Sequence, residues 1–237
     1  MKIQDEFWQL LPEIFRSPDR EVRVWRCNIK FPPVTVEALE KLLEEEEQAK
    51  AKRFHFSKDR DRYILGRGLL RLLLGHYLQQ DPQSLQFAYS AKGKPFLKDE
   101  AVQFNLSHSG DLIVLGMSRD RAIGVDVEQI HPLPDALKLA RRFFCEAEWE
   151  KIRTLPSNLT SRAFFTAWTR KEAFLKATGD GIAGLKDVEV SLLPDEPIQI
   201  YRIAGKIAKG WQLQSLDLGE EYVGAMVVST KEEMTVD

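Results

Sequence analysis

Asp111-Leu112-Ile113-Val114-Leu115-Gly116-Met117-Ser118 is an apolar run closed by polar ends, and Tyr222-Val223-Gly224-Ala225-Met226-Val227-Val228-Ser229 repeats its character more than a hundred residues later. Each reads as a buried strand. Working outward, a helix with apolar periodicity precedes each run and stops at a glycine: residues 63–74 before Gly75, and residues 162–178 before Gly179. A short strand follows each helix, at 85–89 and at 188–192. The shared order predicts an α+β chain of two similar α/β halves, residues 1–122 and 123–237. Order alone leaves a duplication and two unrelated α+β halves both open.

The remaining elements follow from local pattern. Residues 21–29 alternate charged and apolar side chains as a strand does, and Pro32-Pro33 ends it. A helix is expected from near Thr35, with residues 37–53 acidic early and basic late in agreement with the helix dipole. Its Glu44 to Glu47 run reads as a solvated face. Residues 63–78 form a buried helix that carries Arg67 and Arg71 along one side. Lys92-Gly93-Lys94-Pro95 is a turn. Residues 102–106 and 112–117 are strands separated by a Ser-His-Ser-Gly-Asp loop.

Composition sets limits. The 237 residues carry 34 Lys and Arg against 36 Asp and Glu, a formal charge of −2, which argues against whole-protein attraction to nucleic acid or an anionic membrane. Cys27 and Cys145 stand far apart, in no disulfide or zinc spacing, so a reducing cytoplasm is the expected location. The first residues lack the apolar core of a signal peptide, and the most apolar stretch, 69–78, is too short to span a bilayer. No membrane segment is expected.

Chemistry concentrates in two segments. In Gly124-Val125-Asp126-Val127-Glu128, Asp126 and Glu128 project from one face of an extended strand while Val125 and Val127 project from the other. In Trp168-Thr169-Arg170-Lys171-Glu172-Ala173-Phe174-Leu175-Lys176, Glu172 shares a helical stripe with Phe165, Trp168 and Leu175, where a lone carboxylate is costly to bury. A hard divalent cation shared by Asp126, Glu128 and Glu172 would satisfy all three, and Lys176 sits one turn beyond Glu172, placed to meet a phosphate. Read singly, the pieces are ordinary: a solvated edge strand and an i,i+4 helix pair. Phe104-Asn105-Leu106-Ser107-His108-Ser109-Gly110 invites a Ser/His nucleophile, but neighbours on an extended chain point apart and no Gly-x-Ser-x-Gly elbow occurs.

Together the two segments resemble the paired signatures of the 4′-phosphopantetheinyl transferase superfamily, an Asp-x-Glu and a Trp-(Ser/Thr)-x-Lys-Glu-(Ala/Ser)-x-x-Lys, at every fixed position. The resemblance runs from about residue 20 to about residue 228. It implies the long, monomeric, surfactin-synthetase-activating type: a pseudo-dimer with its active site in the cleft between the halves. The implied reaction moves the 4′-phosphopantetheine group from coenzyme A to a serine of an acyl or peptidyl carrier protein, with Mg²⁺ held by Asp126, Glu128 and Glu172. Glu172 or Glu148 would take the serine proton, Glu146 being a weaker substitute, and Lys176 would stabilise the leaving 3′,5′-ADP.

The same resemblance gives roles to ambiguous residues. Residues 50–71 hold eight basic side chains against two acidic ones, and this segment would grip the coenzyme A 3′-phosphate through Lys50 and Arg62. Lys94 and Pro95 would lie against adenine and its phosphates, and Ser107 and His108 would donate to phosphate oxygens. Lys138, Arg141 and Arg142 are candidates to meet the acidic helix of a carrier. Secondary metabolism is the implied setting. Two rival readings are a Mg²⁺-dependent phosphodiesterase using the same carboxylates, and a non-catalytic coenzyme A or carrier-binding module.

Overall fold

A computed structural model describes residues 13–17, 21–30, 32, 34–98 and 102–231. The expected break at Pro33, and both termini, lie outside the described residues. In the first half, β1 (Glu13–Arg16) and β2 (Val22–Asn28) lead to short helices α1 (Val36–Glu40) and α2 (Glu45–Ala51) and then to the long α3 (Ser57–Leu78). A small pair, β3 (Phe87–Tyr89) and β4 (Pro95–Leu97), precedes the hairpin of β5 (Gln103–Ser109) and β6 (Leu112–Ser118). The main sheet is antiparallel in the order β1-β2-β6-β5.

The second half repeats this plan. It starts with β7 (Ile123–Gln129), passes through α4 (Ala136–Phe143), α5 (Glu146–Arg153) and the long α6 (Ser157–Thr178), and makes a small sheet from β8 (Val188–Val190), β9 (Ile200–Ile203) and β10 (Lys206–Ile207). It ends with β11 (Trp211–Ser215) and β12 (Tyr222–Ser229), in the order β11-β12-β7. Each half is therefore a leading strand, a 22-residue helix, a small sheet and a strand pair whose last member is central. Both long helices stop on a left-handed residue, Gln79 at φ 56° and Gly179 at φ 80°.

Alternation along the strands makes the layers. Trp25 and Cys27 of β2 and Ile113, Leu115 and Met117 of β6 pack under α3, while Ala225 and Val227 of β12 pack under α6. The opposite faces meet in a third core, where Val22, Val24, Leu112 and Val114 lie against Val125, Val127, Met226 and Val228. The order is helix, sheet, sheet, helix, and the α+β expectation of two similar halves is met.

Three local expectations are corrected. The single helix over 37–53 is two: Thr35 caps α1 through Ala38 N–H, and a fresh start at Glu44 opens α2 with a reciprocal bond to Glu47. The restart turns Glu47 inward. Far from belonging to a solvated face, Glu47 is buried and takes Arg67 Nε and Arg71 Nε, each at 2.7 Å, on its two oxygens. Two of the eight basic residues thus serve a buried ion cluster, with Arg71 also donating to Pro82 O and Leu85 O. Next, α3 begins at Ser57 rather than at Tyr63 and runs through Gly75, the expected stop, to Leu78. Finally, β5 continues through Ser107, His108 and Ser109, leaving only Gly110 and Asp111 as a tight hairpin turn.

One glycine decides how closely α6 lies on β7. A Cβ on Gly124 would stand 2.0 Å from Ala173 O and 2.4 Å from Ala177 N, both backbone atoms of the helix. The helix cannot give locally, so Gly124→Ala is expected to destabilise the fold by roughly 1–3 kcal/mol, as overpacking does, and to displace Glu172 from the Asp126 strand. Denaturant unfolding measures the first effect, and a drop in turnover per folded molecule the second.

Candidate active site

The site is built on β5, β7 and α6. The strands β5 and β7 run side by side where the two sheets meet, joined by side chains rather than by a ladder. Asn105 Oδ1 accepts from Val125 N at 2.9 Å and Ser109 Oγ accepts from Gln129 N at 3.1 Å. Because both strands alternate, Ser107 and Ser109 on one face Asp126 and Glu128 on the other. Ser107 Oγ donates to Asp126 Oδ1 at 2.7 Å, and Ser109 Oγ donates to Glu128 Oε2 at 2.7 Å. Ser109 and Asn105 hold this seam together, and sequence reasoning did not single them out. The matched spacing Ser-x-Ser against Asp-x-Glu was their signal.

From α6, Trp168, Glu172 and Lys176 reach the same hollow at four-residue intervals. Lys176 Nζ donates to Asp126 Oδ1 at 2.6 Å and to Ser107 Oγ at 3.0 Å. With Leu106, His108 and Ile182 these residues enclose about 350 Å³. The hollow lies between the halves, as expected.

Its electrostatics are those of crowded acids. Burial, then the Asp126 charge, raises the Glu172 carboxyl above the usual carboxylate range against the opposing pull of Lys176. Burial also raises Glu128, against the Ser109 hydrogen bond. His108 is lowered by burial and by the Arg62 and Lys176 cations, so its ring is neutral near pH 7.

A metal can be tested against this arrangement. Among the described residues no three acidic or imidazole groups close around one point, and the Lys176 ammonium stands on Asp126 Oδ1. Yet Asp126 Oδ2 is buried with no hydrogen-bond partner, and an orphaned buried carboxylate oxygen calls for a cation. The donors are all carboxylate oxygens, the set a hard divalent ion takes. The residues fit such an ion.

The other expected residues divide. Arg62 stands beside His108, donates to Gly110 O at 3.2 Å, and leaves its buried Nε unpartnered. Lys94 does not enter the hollow. Its Nζ donates to Ala177 O at 2.7 Å at the carboxyl end of α6, and burial lowers it to about 8. Pro95 pairs with Tyr89 in the adjoining strand pair. Lys50 lies over the Tyr63 ring, 5.3 Å from its centre, and lines a separate hollow with Arg53, Phe87 and Tyr89.

Glu148 requires a correction. It is buried and shares an ion pair of 2.6 Å with Lys171 Nζ, itself fully buried, and it accepts from Val190 N at 2.8 Å and Cys145 N at 3.1 Å. It does not line the hollow. Its contacts stitch α5 to α6 and β8, a structural role in place of the catalytic one expected. Phe144 packs inward, stacked on Phe164 at 5.0 Å, where it ends α4 and Cys145 opens α5. On the outer side, Lys138, Arg141 and Arg142 line a shallow basic hollow with Leu137 and Trp149, and Arg141 lies 5.3 Å over the Trp149 ring.

Known proteins match this chain over most of its length. Residues 122–227 match the family model described as the 4′-phosphopantetheinyl transferase superfamily, and residues 33–119 match one described as 4′-phosphopantetheinyl transferase, N-terminal. The chain is similar to the 4′-phosphopantetheinyl transferase HetI of Nostoc sp., 40% identical over 213 residues that cover 88% of each chain. It is 30% identical over 229 residues to a phosphopantetheinyl transferase of Thraustochytrium sp., covering 89% of this chain and 80% of the other. Against the 4′-phosphopantetheinyl transferase Sfp of Bacillus subtilis it is 30% identical over 157 residues, 65% of this chain and 69% of the other. No helix among the described residues is long and apolar enough to cross a membrane.

Proposed function

From the premise that this chain belongs to the 4′-phosphopantetheinyl transferase superfamily and is an enzyme of it, we infer the course of its reaction: the phosphopantetheine arm of coenzyme A passes to a serine of an acyl or peptidyl carrier protein, with release of 3′,5′-ADP. The observation that carries the residue assignment is the meeting of Asp126, Glu128, Glu172 and Lys176 around one hollow.

Coenzyme A lies across this hollow, its phosphates met by Ser107, His108 and Arg62, with Lys50, Lys94 and Pro95 toward the adenylate end. Asp126, Glu128 and Glu172 would hold Mg²⁺, which supplies charge neutralisation at the pyrophosphate and makes its phosphorus a better electrophile. The carrier serine oxygen forms a bond to that phosphorus while the bond to the departing 3′,5′-ADP oxygen breaks. Glu172 takes the serine proton. A carboxylate at this place in the hollow is the type of group that serves as a general base. Lys176 offsets the charge that grows on the leaving phosphate. The basic hollow of Lys138, Arg141 and Arg142 beside exposed Leu137 suits the acidic helix of a carrier. One chain supplies every group named, in keeping with a monomer, and the free Cys27 and Cys145 suit a reducing cytoplasm.

Incubation with Mg²⁺, coenzyme A and an unmodified carrier, followed by intact mass spectrometry of the carrier, is expected to show a gain of one phosphopantetheine group. No gain on fatty-acid, polyketide and peptide-synthetase carriers, with coenzyme A bound, would favour the binding-module reading.

Lys176 also offers a test of the metal assignment apart from turnover. Its ammonium holds Asp126 Oδ1, so it competes with an incoming cation. Lys176→Met is expected to bind Mn²⁺ several-fold more tightly than the wild type when coenzyme A is absent, measured by electron paramagnetic resonance. Equal or weaker binding would remove Asp126 Oδ1 from the ligand set.

A further inference from the structure

A second pocket lies on the far side of α6, between that helix, the segment after β8 and the turn before β12. It encloses about 310 Å³ and shares no lining residue with the catalytic hollow. Leu155, Leu159, Leu192, Leu216 and Leu218 supply apolar wall. Into this wall α6 sets Arg170, only 6% exposed and about 200° around the helix from Glu172. Arg170 stands at the position that the helical signature leaves open.

The surroundings of Arg170 are polar but not acidic. Nη1 donates to Ser191 O at 2.6 Å and to Ser191 Oγ at 2.9 Å, and Nη2 donates to Ser215 Oγ at 3.1 Å. Among the described residues it forms no ion pair, and one Nη2 hydrogen and the Nε hydrogen have no acceptor. Glu196 acts on it only from a distance and is itself paired with Lys151. Asp217 also lines the pocket but is exposed, with Oδ1 turned to Gly219 N. A guanidinium stays charged at any ordinary pH, and burying it unpaired is costly. An anion arriving in the pocket would remove that cost.

We propose that this pocket is a binding site for an amphiphilic monocarboxylate, a medium-length fatty acid, whose carboxylate pairs with Arg170 and whose chain lies along the leucine wall. The volume stands at the small end of ligand sites, which run from roughly 300 to 1,000 Å³, and so fits one short chain rather than a nucleotide cofactor. A planar carboxylate matches the guanidinium fork, whereas the leucines reject a second charged end. This proposal does not depend on the transfer reaction.

Isothermal titration of the whole protein with decanoate, and separately with decanol, tests it below the micellar concentration. One saturable decanoate site is expected, with decanol at least tenfold weaker. Arg170→Met should weaken decanoate at least tenfold and leave decanol unchanged, with folding checked by thermal unfolding. Should that variant not fold, Thr166→Trp, which fills the pocket from a partly exposed position on α6, should abolish binding of both probes. Coenzyme A should not compete. Equal affinity for the two probes, decanoate binding unaltered in Arg170→Met or Thr166→Trp, displacement by coenzyme A, or no saturable decanoate binding would each overturn the proposal.

Discussion

Exchange of Glu172 for glutamine is expected to slow phosphopantetheine transfer by roughly 100- to 10,000-fold, the range for loss of a positioned general base, with no loss of fold. The amide has the same shape and fills the same place beside Trp168 and Lys176. It also removes one of three crowded acids, and Glu172 is held high by burial and by Asp126. The midpoint of thermal unfolding should therefore hold or rise while turnover collapses. Asp126→Ala should likewise lose transfer, since it leaves Lys176 and Ser107 without their shared acceptor. Initial rates from carrier mass spectra, set beside unfolding curves of the same samples, check both variants. Near-normal turnover in either would overturn the assignment of these carboxylates.

The second large effect lies one residue away and in the opposite property. Lys171→Met should cost roughly 3–5 kcal/mol of stability, because it strands the buried Glu148 charge among neighbours that donate only two backbone N–H groups to it. Glu148→Gln should cost a comparable amount by stranding Lys171, whose remaining partners are Leu185 O, Val188 O and the Phe144 ring. Neither change touches the hollow, so turnover per folded molecule should stay near that of the wild type. Urea unfolding measures the first quantity and active-site-normalised rates the second. A Glu148→Gln protein of full stability and lost transfer would return Glu148 to the chemistry.

Adjacent Lys171 and Glu172 show what could be read in advance. Glu172 was legible because its stripe of Phe165, Trp168 and Leu175 made a charge conspicuous, and because Asp126 and Glu128 alternate with valines that do pack in the seam core. The roles of Glu148 and Glu47 were not legible. Glu47 looks like one more surface acid at a helix start, and the resemblance cast Glu148 as a base, yet each is consumed by a cation distant in sequence, the pair Arg67 and Arg71 or Lys171. Likewise Lys94, given a ligand role by the resemblance alone, meets a helix end 83 residues away.

The amino-acid sequence by itself determined the α+β class, the strand carrying Asp126 and Glu128, the helix carrying Glu172 and Lys176, and the enzyme family whose signature they spell. Those are properties of period and residue type, which act within a few residues of chain. Only the tertiary structure decided which charges face the hollow and which are spent inside. Burial makes an unpaired charge so costly that its partner must be found across the fold, and the seam of β5 against β7, drawn close to α6 at Gly124, brings the partners within reach.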